Sequence, residues 1–466
     1  MSDKETRKYA LIIATMSSFL TPFMGSSINI ALPAIQKNFS IDAVLLSWVA
    51  TAYLLTSSVT LIPLGRLADI YGRKRIFATG TAIFTVTSLL AALADSAVTL
   101  IVVRGIQGVG AAMIFATGIA ILTSVYPPEK RGHVLGINVA VVYTGLSAGP
   151  FLGGLLTQYL GWRSIFLVNV PVGVAIIFMI LTRLKGEWAD ASGEPFDIPG
   201  FLLYSMSLGL FMYGLSNLHS YWAAGFILAG MTGAAALVRR MKRVPHPLVD
   251  LNLFQHNRVF VFSNLAALIH YSATFAMAFL LSLYLQYIKG LSPQSAGLIL
   301  VCQPVVMAVL SPLAGWISDR ADSRCIASSG MTVTFVCLVF FAFLDENSSV
   351  ICILILLSIT GLGFALFSSP NTNAIMGSVA KKFYGLASGA AGTMRLLGMM
   401  ASMAVVTVVL SVIIGRIEIT PSLFPQFLVS LRVAFMVFAV FCFCGIFASL
   451  ARGKVYTGKE RGSQRQ

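Results

Sequence analysis

The stretch that decides the fold is Gly65-Arg66-Leu67-Ala68-Asp69-Ile70-Tyr71-Gly72-Arg73-Lys74-Arg75, a short charged segment framed by glycines. It separates two long apolar runs, 44–64 and 76–94. So short a connection predicts that the two runs form an antiparallel pair of helices. The cluster of basic side chains predicts that this end of the pair lies in the cytoplasm, because Lys and Arg are retained on that side of a membrane.

A second stretch repeats this pattern in weaker form. Gly315-Trp316-Ile317-Ser318-Asp319-Arg320-Ala321-Asp322-Ser323-Arg324 again places Gly-x-x-x-Asp followed by Arg between apolar runs. Two copies of one loop at distant points of the chain indicate an internal repeat of helical units.

Composition predicts an integral membrane protein. Hydrophobic residues make up 57% of the chain and charged residues 11%, against about 25% charged residues in soluble domains. The net charge of +15 comes from basic residues at the ends of apolar runs and not from one soluble face. The charge therefore sets topology and does not indicate a nucleic-acid partner. The predicted partners are the lipid bilayer and a small-molecule substrate.

Fourteen apolar runs approach the ~20 residues that cross a hydrocarbon core. We predict an all-α polytopic protein in the cell membrane with both termini in the cytoplasm. The runs are 9–33, 44–64, 76–94, 98–122, 134–158, 165–185, 198–217, 222–238, 261–288, 294–317, 326–344, 350–371, 386–415 and 427–451. The first run is too long for the core of a signal peptide, so we predict that it is retained.

Two longer connections, 186–197 and 239–260, divide the chain. They predict an N-terminal six-helix bundle over residues 1–185 and a C-terminal six-helix bundle over 261–451. Two inserted helices with their linkers occupy 186–260, and 452–466 is a cytoplasmic tail. The six cysteines fall in spans or on the cytoplasmic side, so the sequence indicates neither disulfides nor a metal site.

The fifth span combines glycines with a proline. Gly145, Gly149 and Gly153 follow at intervals of four, with Pro150 between them and Gly154 adjacent. This spacing aligns glycines on one helix face and lets a neighbouring helix approach closely. The proline removes an internal hydrogen bond and favours a bend. Ordinary helix packing would explain a single glycine pair, whereas the whole run favours a functional interface.

These motifs resemble those of the major facilitator superfamily. The segments beginning at Gly65 and Gly315 resemble the strong and the decayed copy of its loop motif. The glycine run of the fifth span, with 162–171 after it, resembles the antiporter signature of its drug exporters. The order of six, two and six helices narrows the resemblance to the fourteen-helix drug:proton antiporter family, the EmrB/QacA type. It implies a major facilitator fold, alternating-access transport, protons as the exchanged ion, and no cofactor.

The resemblance also implies roles for particular residues. Asp69 would pair with Arg73 and bias the packing of the two halves, while the glycines permit tight contact. A purely topological anchor would explain the arginines but not Asp69 or the glycines. The implied gating motif is Gly65, Asp69, Gly72, Arg73, Gly315 and Asp319, and the implied antiporter motif is Gly145, Gly149, Pro150, Gly153 and Gly154.

Four polar residues inside the spans are candidates for transport or coupling. At ~1.5 Å per residue, Arg104 lies ~9 Å from the outer end of its span and Arg395 ~14 Å from the cytoplasmic end of its own. Snorkelling can explain Arg104 at that depth. The neighbouring Gln107 and the cost of an intramembrane charge favour a transport role for both arginines. His270, which can titrate near neutral pH, is either a coupling residue or a hydrogen-bonded structural one.

The first span departs from the family pattern. Fourteen-helix drug antiporters usually carry an aspartate late in this span, where this chain has Gly25 while keeping Asn29 and Pro33. No Asp or Glu is predicted at the centre of any span, so no carboxylate is available there to attract cationic cargo. Arg104 and Arg395 therefore favour neutral or anionic amphiphiles, and Asn29 remains a transport candidate.

We predict an alternating-access transporter that exports drugs or other amphiphilic small molecules. The alternatives are a facilitator or importer of a small metabolite with the same fold, and a membrane-embedded sensor that does not transport. A membrane-embedded enzyme is disfavoured, because the external loops are too short and too poor in His and acidic residues to build a catalytic cluster.

Overall fold

The computed structural model describes residues 3–216, 221–244, 257–318, 320, 322–379, 384–415 and 417–453. In this part of the chain the regular structure is helical and no strand occurs. Fourteen helical stretches follow one another: α1 Asp3–Phe39, α2 Ala43–Tyr71, α3 Arg73–Ala92, α4 Ala97–Val125, α5 Pro128–Leu160, α6 Ser164–Arg183, α7 Ile198–Ser216, α8 Ala223–Met241, α9 Arg258–Ile288, α10 Pro293–Ser318, α11 Ser323–Phe341, α12 Val350–Gly377, α13 Tyr384–Ile413 and α14 Phe424–Ala451.

Each predicted span coincides with one of these helices. Thirteen of the described helices are long and apolar enough to cross a membrane. The fourteenth, α8, has 19 residues and ends in Arg239 and Arg240. It forms a hairpin with α7, closed by an ion pair in which Arg240 Nη2 lies 2.6 Å from Asp197 Oδ1.

The helices run further than the apolar runs do. The segment 65–75, predicted as a loop, is almost wholly helical, since α2 ends at Tyr71 and α3 begins at Arg73. Gly72 alone makes the turn, with φ of 112°, a conformation that residues with a Cβ atom rarely adopt. Its amide still donates to the Ala68 carbonyl at 2.9 Å, so the reversal leaves this backbone group paired.

Three of the helices are interrupted. α6 is broken at Val168 and α10 at Val301, and α9 is broken at residues 275–276 and ends in a π-helical turn at Tyr284–Ile288. The break in α9 frees backbone groups in the middle of an apolar helix. The Ala276 amide donates to Ser402 Oγ on α13 at 3.0 Å, so a neighbouring helix supplies the lost partner.

Packing divides the helices into two bundles and a peripheral hairpin. In the first bundle α5 packs on α1, and α4 packs on α2 and α3. In the second, α12 packs on α10 and α11, and α14 packs on α9 and α11. The α7–α8 hairpin rests through α7 against α2 and α13 and exposes Leu202, Met206, Leu228 and Met231 on its outer side. It therefore lies beside the bundles; the exact residue limits of the bundles remain a prediction.

Candidate functional site

The two bundles meet along three helix pairs, α1 with α9, α5 with α10, and α2 with α13. We call the end that carries Gly72 the motif end and the end where α1 meets α2 the opposite end. Ser282 Oγ of α9 donates to the Asn29 carbonyl of α1 at 2.7 Å, and Gln286 Nε2 donates to the Ile30 carbonyl at 3.1 Å. These residues lie in the halves of α1 and α9 nearer the opposite end.

The contact between α5 and α10 depends on glycine. A Cβ atom at Gly154 would lie 2.6 Å from the Pro293 carbonyl oxygen, and one at Gly297 would overlap the Pro150 carbonyl oxygen. Both obstacles are backbone atoms, which cannot rotate away as a side chain can. The two helices therefore approach at backbone distance, again near the opposite end.

The third pair, α2 with α13, is joined through hydroxyl and backbone groups. Ser47 Oγ and Thr407 Oγ1 lie 2.9 Å apart, and the Ala43 amide donates to the Ile417 carbonyl at 3.2 Å. Nearer the middle, Ser58 Oγ donates to Met400 Sδ at 3.3 Å. All three pairs thus close the opposite end by polar and backbone contacts between uncharged groups.

The other glycines of the fifth span face within the first bundle. Cβ atoms at Gly145 and Gly153 would lie 2.6 Å from the Phe19 carbonyl oxygen and 2.7 Å from Ser27 Cβ, both on α1. A Cβ atom at Gly149 would overlap Ser26 on the same helix. The predicted antiporter motif therefore has two faces: three glycines bring α1 against α5, while Pro150 and Gly154 meet the second bundle.

We call the region between the bundles, on the motif-end side of these three helix pairs, the cleft. Gly25 is half-buried in α1, and a Cβ atom there would meet nothing within 4 Å. Within the cleft region, the hydroxyls of Tyr143 on α5 and Ser368 on α12 lie 2.8 Å apart and connect the bundles. The position where the family resemblance would place an aspartate thus borders open space.

Arg104 lies inside the first bundle. Its side chain is 1% exposed, and the guanidinium carbon lies 4.4 Å from the centre of the Tyr53 ring. Nε donates to the Val49 carbonyl at 3.2 Å and Nη1 donates to Gln107 Oε1 at 2.7 Å. Gln107 in turn donates to Ser88 Oγ at 2.8 Å. The charge is stabilised by oxygen dipoles and a π face, and this network ties α2, α3 and α4 together.

Arg395 has a different environment, although it also lies far from a helix end. It is half-buried on α13 and makes no hydrogen bond or ion pair with any residue that the structure describes. It lies within electrostatic reach of the Tyr143 hydroxyl across the cleft. The structure thus separates the two arginines that the sequence treated alike.

His270 is enclosed by aromatic rings. Its ring stacks on Phe367 with centroids 4.0 Å apart and meets the edge of Phe364 at 4.8 Å. The residue is 1% exposed, and neither ring nitrogen has a hydrogen-bond partner in the described structure. The two interpretations of His270 drawn from the sequence, a coupling residue and a structural one, both stay predictions.

The motif end carries a charged cluster. Asp69 Oδ1 accepts from Arg73 Nε at 2.9 Å and from Nη2 at 2.7 Å. Arg73 also donates to Ser124 Oγ at 2.6 Å and pairs with Asp190 Oδ2 at 2.7 Å. Gly65 lies in α2, where a Cβ atom would be 3.6 Å from Ala116. The predicted Asp69–Arg73 pair is thus part of a larger cluster that also joins α4.

Sequence reasoning missed the partner of this cluster. The segment 186–197, taken only as a connection, crosses the α2–α3 turn as an acidic strap. Glu187 accepts from the Lys74 amide at 2.8 Å and lies 3.7 Å from Arg75 Nε, and Glu194 pairs with Arg66. Backbone bonds add Arg73 N to the Trp188 carbonyl and Ala191 N to the Asp69 carbonyl, both 2.9 Å. The acidic residues spaced along this segment, close in sequence to basic ones, were the signal that could have predicted the contact.

The second copy of the loop is only partly described. Asp319 lies outside the described residues. Gly315 lies within α10, where a Cβ atom would be 2.9 Å from Ser369 Oγ on α12. Arg320 stacks on Trp316, with its guanidinium carbon 3.7 Å from the ring centre. Gly315 thus serves a close contact inside the second bundle.

Comparison with known proteins gives a consistent family. The family model for the Major Facilitator Superfamily matches residues 14–403 and, in a second match, 264–465. The riboflavin transporter RibZ of Clostridioides difficile is 33% identical over 388 residues, which cover 83% of this chain and 84% of that protein. The multidrug resistance protein Stp of Mycobacterium tuberculosis is 30% identical over 412 residues, covering 87% and 76%.

Two further proteins extend the comparison. The cephamycin export protein CmcT of Amycolatopsis lactamdurans is 31% identical over 421 residues, covering 88% of this chain and 86% of that protein. A bacterial homologue of the human lysosomal transporter Spinster, solved inward-facing and unoccupied, superposes with a TM-score of 0.71. It covers 96% of this chain and 97% of its own at 16% identity, so it supports the fold alone.

Proposed function

Because this chain belongs to the major facilitator superfamily of transporters, we propose that it exports drugs or other amphiphilic small molecules from the cytoplasm. Multidrug resistance and export proteins among its relatives support export. The basic residues of the motif end, which the positive-inside rule assigns to the cytoplasm, support a cell-membrane orientation with both termini inside.

The observation that carries the proposal is the asymmetry of the contacts between the bundles. Helix pairs α1–α9, α5–α10 and α2–α13 meet near the opposite end, through contacts such as Gly154 with Pro293 and Ser47 with Thr407. In the proposed orientation this state opens its cleft toward the cytoplasm, where an exporter loads its cargo. Alternation then requires that these contacts part and that the motif end close.

Protons are the exchanged ion in our proposal. The described part of the chain places its acidic residues at helix ends and in connections, so carboxylate coupling at mid-span has no residue to use. His270 is a mid-span group of the type that titrates near neutral pH. Its unpaired ring nitrogens support a proton-carrying role that begins once the bundles rearrange and expose it.

A facilitator or importer of a metabolite is the second candidate. It is favoured by the riboflavin transporter, which is 33% identical to this chain. The two candidates differ in the direction of transport and in their dependence on a proton gradient.

Transport in everted membrane vesicles from an efflux-deficient host tests both. We expect vesicles carrying the chain to accumulate drug-like dyes only when a proton gradient is present, and to lose this activity when the gradient is collapsed. His270→Gln should retain dye binding and lose the response to the gradient. Gradient-independent equilibration of dye, or riboflavin uptake by whole cells, would replace export with the second candidate.

A further inference from the structure

Aromatic and polar side chains from four helices lie near mid-depth, around the contact of Tyr143 with Ser368 that joins the two bundles. They are Tyr143 of α5, His270 and Tyr271 of α9, Phe364, Phe367 and Ser368 of α12, and Arg395 of α13. Phe364 packs with Met307 against Tyr143, and His270 lies behind it on Phe367. The cluster is aromatic and carries one cation, Arg395, and its rings Phe367 and His270 are each 1% exposed.

The helical position of Arg395 directs it into the cleft. Three residues before it, Gly392 faces Leu61 of α2; three residues after it, Gly398 packs on Tyr271 of α9. At 3.6 residues per turn, Arg395 lies between these two contact faces. Arg395 therefore points between α2 of the first bundle and α9 of the second, and its electrostatic interaction with Tyr143 of α5 agrees with this direction.

The charge of Arg395 lacks a described counterion. It makes no ion pair or hydrogen bond with the described residues, and the described acids lie at helix ends and in connections. An intramembrane charge without a partner costs several kcal/mol. By contrast, Arg104 is already stabilised by the Val49 carbonyl and Gln107.

The buried part of the aromatic cluster also contains polar atoms without partners among the described residues. His270 is buried with both ring nitrogens unpaired, and buried polar groups normally have partners. A guanidinium forms bidentate pairs with carboxylates or sulfonates, and aromatic rings like those of this cluster stack on planar molecules. A planar aromatic anion would satisfy both features.

We propose that Arg395, with Tyr143 and Phe364, is the recognition site for a planar aromatic anion, and that Arg395 sets the charge preference of the transporter. This inference rests on the proposed function for its physiological meaning, but binding is separable from transport. Arg104, in this assignment, holds the first bundle together and does not contact cargo.

Two dyes with one ring system test the assignment. Fluorescein is an anion and rhodamine 123 a cation at pH 8, and both contain a xanthene core. Binding to the purified full chain in phosphatidylcholine nanodiscs is measured by fluorescence anisotropy. We expect fluorescein to bind more tightly than rhodamine 123 and Arg395→Gln to weaken fluorescein binding about tenfold, equivalent to about 1.4 kcal/mol.

Two variants serve as controls. Arg395→Lys should keep part of the preference, because it keeps the charge and loses the planar fork. Arg432→Gln removes an exposed arginine from α14 and should leave both affinities within about twofold of the wild type. Melting curves in nanodiscs check that each variant is folded.

The outcomes separate the two claims. Fluorescein binding that is absent, or equal in wild type and folded Arg395→Gln, overturns the recognition site. Fluorescein binding that depends on Arg395, together with vesicles that move neither dye under any gradient, leaves the site and overturns the proposed export.

Discussion

The two ends of the molecule are held together by different chemistry. At the motif end, Asp69, Arg73 and Asp190 form an ion-paired cluster on the first bundle. At the opposite end, the bundles meet through backbone contacts and hydroxyls, with Gly154 and Gly297 against facing carbonyls. Separating a charged pair leaves an uncompensated charge, which costs free energy in an apolar medium. Contacts between small uncharged groups can separate without this cost. In the proposed transport cycle, we therefore expect the opposite end to be the one that opens.

Among the variants that test this comparison, Gly297→Leu should have the largest effect on transport. A side chain there would overlap the Pro150 carbonyl, so the opposite end could not close. We expect dye transport to fall about a hundredfold or more, since a lost conformational state removes a step of the cycle. Gly209→Leu, at a helical position with nothing within 4 Å, is the matched control. Near-normal transport by Gly297→Leu would show that closure does not use this contact.

Asp69→Asn tests the motif end. The change removes the carboxylate that accepts two hydrogen bonds from Arg73 but keeps the basic residues that set topology. We expect transport to fall about tenfold at unchanged membrane insertion, because the pair orients Arg73 toward Asp190 and Ser124. Asp319→Asn, in the weaker copy of the motif, should have less effect. If both variants transport as well as the wild type at matched expression, the motif is a topological anchor alone.

Gly25→Asp tests the contrast between Arg104, which has hydrogen-bond partners, and Arg395, which has none among the described residues. The position borders open space, so the substitution should fold without a clash and place a carboxylate at the cleft. We expect the ratio of anionic to cationic dye transport to drop about threefold to tenfold, through electrostatics in a low-dielectric site. Gly25→Asn gives the same shape without charge. A ratio that neither variant changes would mean that cargo does not sense charge at this depth.

Glu187→Gln should have the smallest effect. It weakens the acidic strap at the Lys74 amide and removes the pairing with Arg75, a largely exposed side chain. Exposed pairs contribute about 0–1 kcal/mol, so we expect transport within about twofold of the wild type. Amide hydrogen exchange of residues 186–197 should accelerate, and added salt should produce a similar acceleration in the wild type. Unchanged exchange in both would show that backbone bonds alone hold the strap.

The sequence predicted the parts of the fold that follow from local chemistry. Apolar length located the fourteen helices, and the glycine spacing identified the helix that approaches its neighbours closely. It could not distinguish the partners of those glycines, because Gly153 and Gly154 are adjacent in the chain but face α1 and α10, respectively. The same limit applied to charge. Arg104 and Arg395 look equivalent in apolar runs, and only tertiary packing shows that the Val49 carbonyl and Gln107 stabilise one of them.

The break in α9 has a mechanical consequence. Bending a membrane helix usually exposes an amide to hydrocarbon, at a cost of several kcal/mol. In α9 the Ala276 amide already donates to buried Ser402 of α13, so flexing at residues 275–276 need not leave this amide without an acceptor. The segment beyond the break carries Ser282 and Gln286, which touch α1. This segment can therefore move relative to the rest of α9 while it stays in contact with α1. Ser402→Ala should reduce that movement. Spin-label distances between α1 and α9 would then show a narrower distribution.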